Sequence, residues 1–214
     1  MLKHILFGKI DSFEELGLIL TSSNIEAPAL KSNYVKLDGA DGSVDFTEAF
    51  GRIFYENRKL QFEFTYGGDP DSFADKFSEV QNKLHGRRME IRISDDEEWW
   101  YEGRLTVDKW KSSKAIRKIT IEAECDPYKY KNIVRIYSIT ANPQSVVFKN
   151  SRKNASPKLT SDVAVSVACN GKSVTLTPNV SATDVLEFTE KSNTLTVTGS
   201  TACTLKVECV IGSL

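Results

Sequence analysis

The side chains able to do chemistry are few, and their spacing assembles no reaction centre. His4 and His85 are the only histidines. No H-E-x-x-H, no G-x-S-x-G nucleophile elbow and no phosphate-cradling P-loop occurs. His85 stands just before Gly86 at the end of a helical stretch, where an imidazole is expected to cap the last carbonyls. Asp95, Asp96, Glu97 and Glu98 are adjacent on a turn. Acid–base work needs carboxyls held around a cleft, so these are expected to be solvated. Asp38, Asp41 and Asp45 occupy a glycine-rich stretch with Gly39 and Gly42. Calcium would suit carboxylates, but Ala40 takes the second ligand position of an EF-hand and no glutamate closes the loop. The stretch reads as a turn-rich loop without metal.

The four cysteines, Cys125, Cys169, Cys203 and Cys209, form no C-x-x-C pair. With so little histidine, a zinc site is not expected. Cys203 and Cys209 lie in an alternating run, which is how buried strand thiols look. Sugar binding by ring stacking would need an aromatic platform. No tryptophan follows residue 132, where only Tyr137, Phe148 and Phe188 remain. The chain is therefore expected to be no enzyme, to hold no cofactor and to bind no β-galactoside through its second half.

The elements that carry these residues are mostly strands. Leu60, Phe62, Phe64 and Tyr66 alternate with polar residues, the period of a half-buried strand. Gly67 and Gly68 break it. Asp69 is placed to cap a helix with Pro70 in its first turn. Phe73, Phe77, Val80 and Leu84 make one apolar stripe, and Gly86 is a fitting stop. Asp75, Lys76, Glu79 and Lys83 fall on the other, solvated face. Met89, Ile91 and Ile93 begin a hairpin whose turn is Ser94 to Glu98. Its return strand is expected to put Trp99, Tyr101, Leu105 and Val107 in the core. Trp100, Glu102, Arg104 and Thr106 take the other face. Ile119, Ile121, Ala123 and Cys125 repeat the pattern, so the sheet is antiparallel with one covered and one polar face. An aromatic beside charges on an exposed strand face is a candidate interface anchor, since Trp, Tyr and Arg dominate hot spots. Trp100, Glu102 and Arg104 are accordingly candidate subunit-contact residues, as are Asp38, Gly39, Asp41 and Gly42.

Composition shifts near residue 132. Before it lie 18 of the 21 aromatic residues, with 20 basic and 24 acidic residues. After it lie 8 basic and 5 acidic residues among many Ser, Thr and Val. Two domains, 1–132 and 133–214, are expected. In the second, Val163, Val165 and Val167 lead into Asn170-Gly171, and Val174 and Leu176 lead out. Asn-Gly favours a two-residue type I′ turn, which sets Val167 opposite Val174 and Val165 opposite Leu176. Further strands are expected at Leu186/Phe188, Leu195/Val197 and Cys203 to Ile211, giving a β-sandwich. The fold class is mainly β with one helix. No apolar run of about 18 residues suggests a membrane span. The N-terminus does not read as a signal peptide. The chain is expected to be made and kept in a cytoplasm until something is assembled from it.

Several of these strings resemble one family, the distal tail proteins (Dit) of siphophages. The likeness runs over nearly the whole chain. It begins with Leu37 to Glu48 and Tyr55-Glu56-Asn57-Arg58. Its most specific part is Leu84-His85-Gly86-Arg87-Arg88, then Tyr101-Glu102-Gly103-Arg104, then Cys125-Asp126-Pro127-Tyr128-Lys129-Tyr130. Asn150 to Leu159 and Leu186 to Val197 are looser matches. The resemblance implies a ring-forming N-terminal sheet domain packed on one α-helix, usually hexameric, and a C-terminal galectin-like β-sandwich. It implies a structural role at the virion tail tip of a phage or prophage. The ring would join the tail tube protein to a tail-associated lysin or fibre protein, with receptor-binding proteins in many phages. DNA would pass only as cargo. The mildly acidic first domain suits that passage, since a lysine-rich wall would retain phosphate. Screening confines any such field to about 8 Å. Some members carry an inserted carbohydrate-binding module, and no segment here reads as one. Two other classes remain open at this point: a carbohydrate-binding adsorption protein of the tail tip, and a tail hydrolase, which the missing catalytic residues disfavour.

Overall fold

The long alternating runs become antiparallel strands in the computed structural model, which describes residues 3–112, 117–200 and 202–214. The chain divides into two units, residues 1–129 and 130–214. The strands of the first unit are β1 (Ile5–Phe7), β2 (Ile10–Asp11), β3 (Leu18–Ile25), β4 (Tyr34–Val35), β5 (Val44–Asp45), β6 (Arg58–Tyr66), β7 (Arg88–Ile93), β8 (Tyr101–Ser112) and β9 (Arg117–Cys125). Helix α1 (Phe73–Leu84) follows a single 3-10 turn, Pro70–Ser72. Seven strands form one sheet in the order β2-β1-β7-β8-β9-β6-β3, while β4 and β5 pair by themselves.

The expected alternation sets the sheet's core. Phe62 pairs with Ile121, Phe64 with Ile119, and Leu105 with Ala123, and all six side chains are buried. Phe7 meets both Phe62 and Phe64 edge-on at 6.1 and 6.3 Å. Burying each large side chain contributes roughly 1.5–3 kcal/mol. Helix α1 covers part of this face with Phe73, Val80 and Leu84 buried and Phe77 half-buried. The Asp69 carboxylate accepts from the Asp71 N–H at 3.1 Å, so the Asp-Pro pair opens the 3-10 turn Pro70–Ser72, and α1 itself begins only at Phe73.

Three expectations about the first unit are corrected. The helix's outer face is not simply solvated: Lys76 and Lys83 grip Glu79 at 2.6 and 2.8 Å, and the Lys76 hydrogen bond, then that from Lys83, holds its carboxyl below the usual range. His85 does not cap with its ring. Its N–H bonds to Gln81 O at 2.9 Å, whereas Nδ1 accepts from the Val107 N–H at 3.1 Å. A bulge between Val107 and Lys109 interrupts the β8–β9 ladder beside that N–H. Trp99 is not a core residue: it precedes β8 and is half-buried, because the turn from Ser94 extends through Glu98 and regular pairing starts only afterwards. The short strands β1 and β2 and the eight-residue β3 carry no strict alternation, and the sequence pattern does not predict them. Yet β2 and β3 form the two edges of the sheet.

The second unit contains β10 (Lys129–Ile139), β11 (Gln144–Asn150), β12 (Lys158–Ser161), β13 (Val165–Cys169), β14 (Lys172–Leu176), β15 (Lys191–Thr198) and β16 (Cys203–Ser213). They form sheets β10-β16-β12 and β11-β15-β13-β14, which bury alternate residues as a β-sandwich. Asn170 and Gly171 take φ of 49° and 76°, and the register is Val167 with Val174 and Val165 with Leu176, as the turn type requires. Val163 lies outside β13 at a bend and is exposed. Leu186 and Phe188 are buried but form no strand, because Phe188 pairs only with Ala155, at 2.8 and 3.0 Å, in an isolated bridge. Phe188 stacks on Phe148 at 4.7 Å. Asn150 braces this corner, its Nδ2 donating to Lys153 O, Thr189 O and Phe188 O at 2.8–3.3 Å.

Candidate functional site

The candidate contact residues fall on two elements. The first is an arm that leaves the sheet between β3 and β6. Its legs continue the pairing of those strands: Glu26 N–H donates to Lys59 O at 3.0 Å, Glu56 N–H to Ala29 O at 2.8 Å and Lys31 N–H to Phe54 O at 2.9 Å. Further out, Phe46 N–H donates to Asn33 O at 2.7 Å, and Tyr34 and Val35 pair with Asp45 and Val44. The Asp45 carboxylate accepts from the Thr47 N–H at 2.8 Å. Hydrogen bonds from the Thr47 side chain and backbone, the largest causes, hold this carboxyl below its ordinary range.

Asp38, Gly39, Asp41 and Gly42 form the apex of this arm. Gly39 and Gly42 have φ of +82° and +77°, a backbone region that L side chains rarely adopt. Ala40 N–H closes a turn on Leu37 O at 3.3 Å. Among the described residues no cluster of His, Cys, Asp or Glu could hold a metal ion. What the sequence reading missed is the arm's apolar surface. Tyr34, Leu37, Val44, Phe46 and Phe50 are all exposed, Phe50 to 82 %. The sequence signal was there, as large apolar residues in a segment with neither helical nor strand period.

The second element is the aromatic hairpin. Trp100, Glu102 and Arg104 lie along β8 and just before it, on the face away from buried Tyr101 and Leu105. Trp100 is half-buried beneath Arg92, whose guanidinium is 4.8 Å from the ring centre. That same guanidinium donates to Glu97 O at 2.8 Å and to Glu90 Oε1 at 2.6 Å. Glu102 pairs with Arg88 at 3.3 Å, and Arg88 donates to both oxygens of Asp126 at 2.9 Å. Arg104 donates to Gly86 O at 2.7 Å. The hairpin's like-charged opposites, Glu90 with Glu102 and Arg88 with Arg104, are thus relieved by diagonal and loop contacts.

Gly103 explains the spacing inside Tyr101-Glu102-Gly103-Arg104. It lies opposite Cys125, and a Cβ there would come within 2.6 Å of Glu124 O and 2.8 Å of Cys125 Cα. Only glycine permits this approach. Burial pushes the Cys125 thiol up to about 12, which suits a packed thiol and not a nucleophile.

No protein-family profile matches the chain, and no curated protein matches it. A solved structure does: the crystal structure of the Dit (gp 19.1) protein of phage SPP1, described as a paradigm of the hub adsorption apparatus in phages that infect Gram-positive bacteria. The TM-score is 0.67 at 16% identity, over 97% of this chain and 98% of that one. This chain has the fold of that hub protein. The likeness covers nearly the full length and so reaches residues of both units. Among the described residues, no helix is long and apolar enough to cross a membrane.

Proposed function

We propose that this chain is a structural, non-enzymatic component of a phage tail tip, acting as a ring-forming adaptor between the tail tube and the lysin or fibre below it. The observation that carries this is the fold shared with a phage hub protein along almost the entire chain. The arm's exposed apolar surface suits assembly.

Closed rings use heterologous contacts, in which one patch meets a different patch on the next copy. The arm supplies the first patch. Its exposed Tyr34, Leu37, Phe46 and Phe50 are costly to leave in water and gain by covering a neighbour. Trp100, Glu102 and Arg104 are proposed as a second contact. Receptor-binding components would attach to the assembled ring. DNA would cross the central hole without being held.

Sedimentation velocity of the full chain tests the reading. A species of about six copies is expected, as closed cyclic symmetry requires of a hexamer. A monomer across the whole accessible concentration range would contradict it.

A further inference from the structure

A groove of about 460 Å³ lies in the first unit, lined by the connection between β2 and β3, the end of β6 and helix α1. Phe13 and Tyr66, both half-buried, give it an aromatic wall. Tyr66 is fixed there: it stacks on Phe73 at 5.8 Å, and its hydroxyl shares a hydrogen bond with Ser72 Oγ at 2.9 Å. Glu14 and Glu15 enter the lining from the β2–β3 connection, and Lys76 enters it from α1. The groove is thus aromatic within and carries both signs of charge.

The returning leg of the arm bears a matching knuckle. Gly51 N–H closes a turn on Glu48 O at 2.8 Å, with Gly51 at φ +76°. That turn pushes Phe50 into solvent, 82 % exposed. Glu48 stands before the ring and Arg52 after it, and both are exposed. Among the described residues no ion pair engages Glu14, Glu48 or Arg52. Placement decides which groove the knuckle can reach. The groove lies at the Leu18–Tyr66 end of the β3–β6 ladder, and the arm leaves at the Ile25–Leu60 end. From Leu60 to Tyr66 the strand rises on the order of 20 Å. The arm's paired legs carry Phe50 further away still. A copy therefore does not fill its own groove, whereas copies set head to tail do, which is the heterologous contact of a closed ring.

We infer that Phe50 of one copy seats in this groove of a second copy, with Arg52 toward Glu14 and Glu15 and Glu48 toward Lys76. The inference rests on the ring reading and names the surface that receives the arm. Burial of the ring supplies the anchor, and the opposite charges set its orientation. A second copy is favoured over another protein because knuckle and groove match in charge and stand at opposite ends of the same two strands.

The test is photo-crosslinking of the full-length protein. Phe50 is replaced by p-azidophenylalanine, isotopically heavy and light copies are mixed, and the assembled rings are irradiated and digested. Mass spectrometry should find position 50 of one copy bonded to residues 13–17 or 66–68 of another. In parallel, Phe50→Ala should raise the concentration of half-assembly at least about tenfold. Its melting temperature as a monomer should not change, because the ring it removes is exposed. Rings whose links fall elsewhere on the second copy would overturn the inference and leave the ring reading intact, as would assembly unaffected by Phe50→Ala. An unaltered chain that stays monomeric would overturn the ring reading itself.

Discussion

The ammonium of Lys129 stands 4.9 Å from the centre of the Trp99 ring and donates to Asp96 at 2.7 Å. The last residue of the first unit is thereby tied to the turn of the aromatic hairpin. Arg92 does the same from the other side, over Trp100 and onto Glu97 O. The two indoles are not bare platforms. Each is half-covered by a cation that also fixes the loop preceding β8.

Lys129→Met keeps the stem and removes the charge. A half-exposed cation–π contact is worth about 0.5–1 kcal/mol, and a partly exposed ion pair adds up to about 1 kcal/mol. Urea unfolding should show a loss of about 1 kcal/mol. Asp96→Ala should then cost less in the Lys129→Met background than in the unaltered chain. Equal costs in both backgrounds would show that the pair is not coupled.

Gly103→Ala should be among the most damaging single changes in the first unit. The added methyl meets the Cys125 Sγ first and, behind it, backbone that cannot give: Glu124 O at 2.6 Å and Cys125 Cα at 2.8 Å. Overpacking of this kind costs about 1–3 kcal/mol. Shortening the facing thiol with Cys125→Ala should not restore stability. Full recovery in that double variant would place the clash on the sulfur alone.

The thiols should be silent in the folded protein. Cys125, Cys169, Cys203 and Cys209 are all buried. Burial pushes Cys125 to about 12 and Cys209 to about 11, from an ordinary value of 9.0. A thiol whose ionisation is raised by folding favours the folded chain below the unfolded value. That contribution is lost as pH rises from 9.0 through about 11 and about 12. Stability should therefore fall above pH 9, and thiol reagent at pH 8 should label the chain only after denaturation. Rapid labelling of the native protein would contradict the packing.

Trp100→Ala should weaken assembly more than it lowers the melting temperature. Interface anchors of this type cost about 2 kcal/mol or more when truncated. Half-burial beneath Arg92 makes a modest drop in melting temperature part of the expectation. A large drop with unchanged assembly would return Trp100 to a purely structural role.

The parts legible in the sequence are those decided locally. Strict alternation placed β6, β7 and β9, the Asp-Pro signal marked the 3-10 turn leading into α1, Gly86 marked its end, and Asn170-Gly171 set a register. The missed parts depend on distant partners. Strand β1 is three residues long and exists because Ile5 pairs with Ile93. Phe188 is held by Ala155, not by a ladder of its own. Trp99 was placed in the core by counting twos through a segment that is still a turn. The glycines and aspartates of the arm's apex were legible as a loop. Its exposed apolar residues left only the faint signal of a segment without period, because Phe46 and Phe50 break the rule that ties large apolar residues to a core.

Negative-stain microscopy of the purified chain, beside a variant lacking Gly39 to Gly42, decides whether the chain closes into rings through its arm. Closed rings with a central hole are expected from the unaltered chain, and folded monomers with an unchanged melting temperature from the deletion. Rings of equal abundance from both proteins, or none from the unaltered chain, would contradict assembly through the arm.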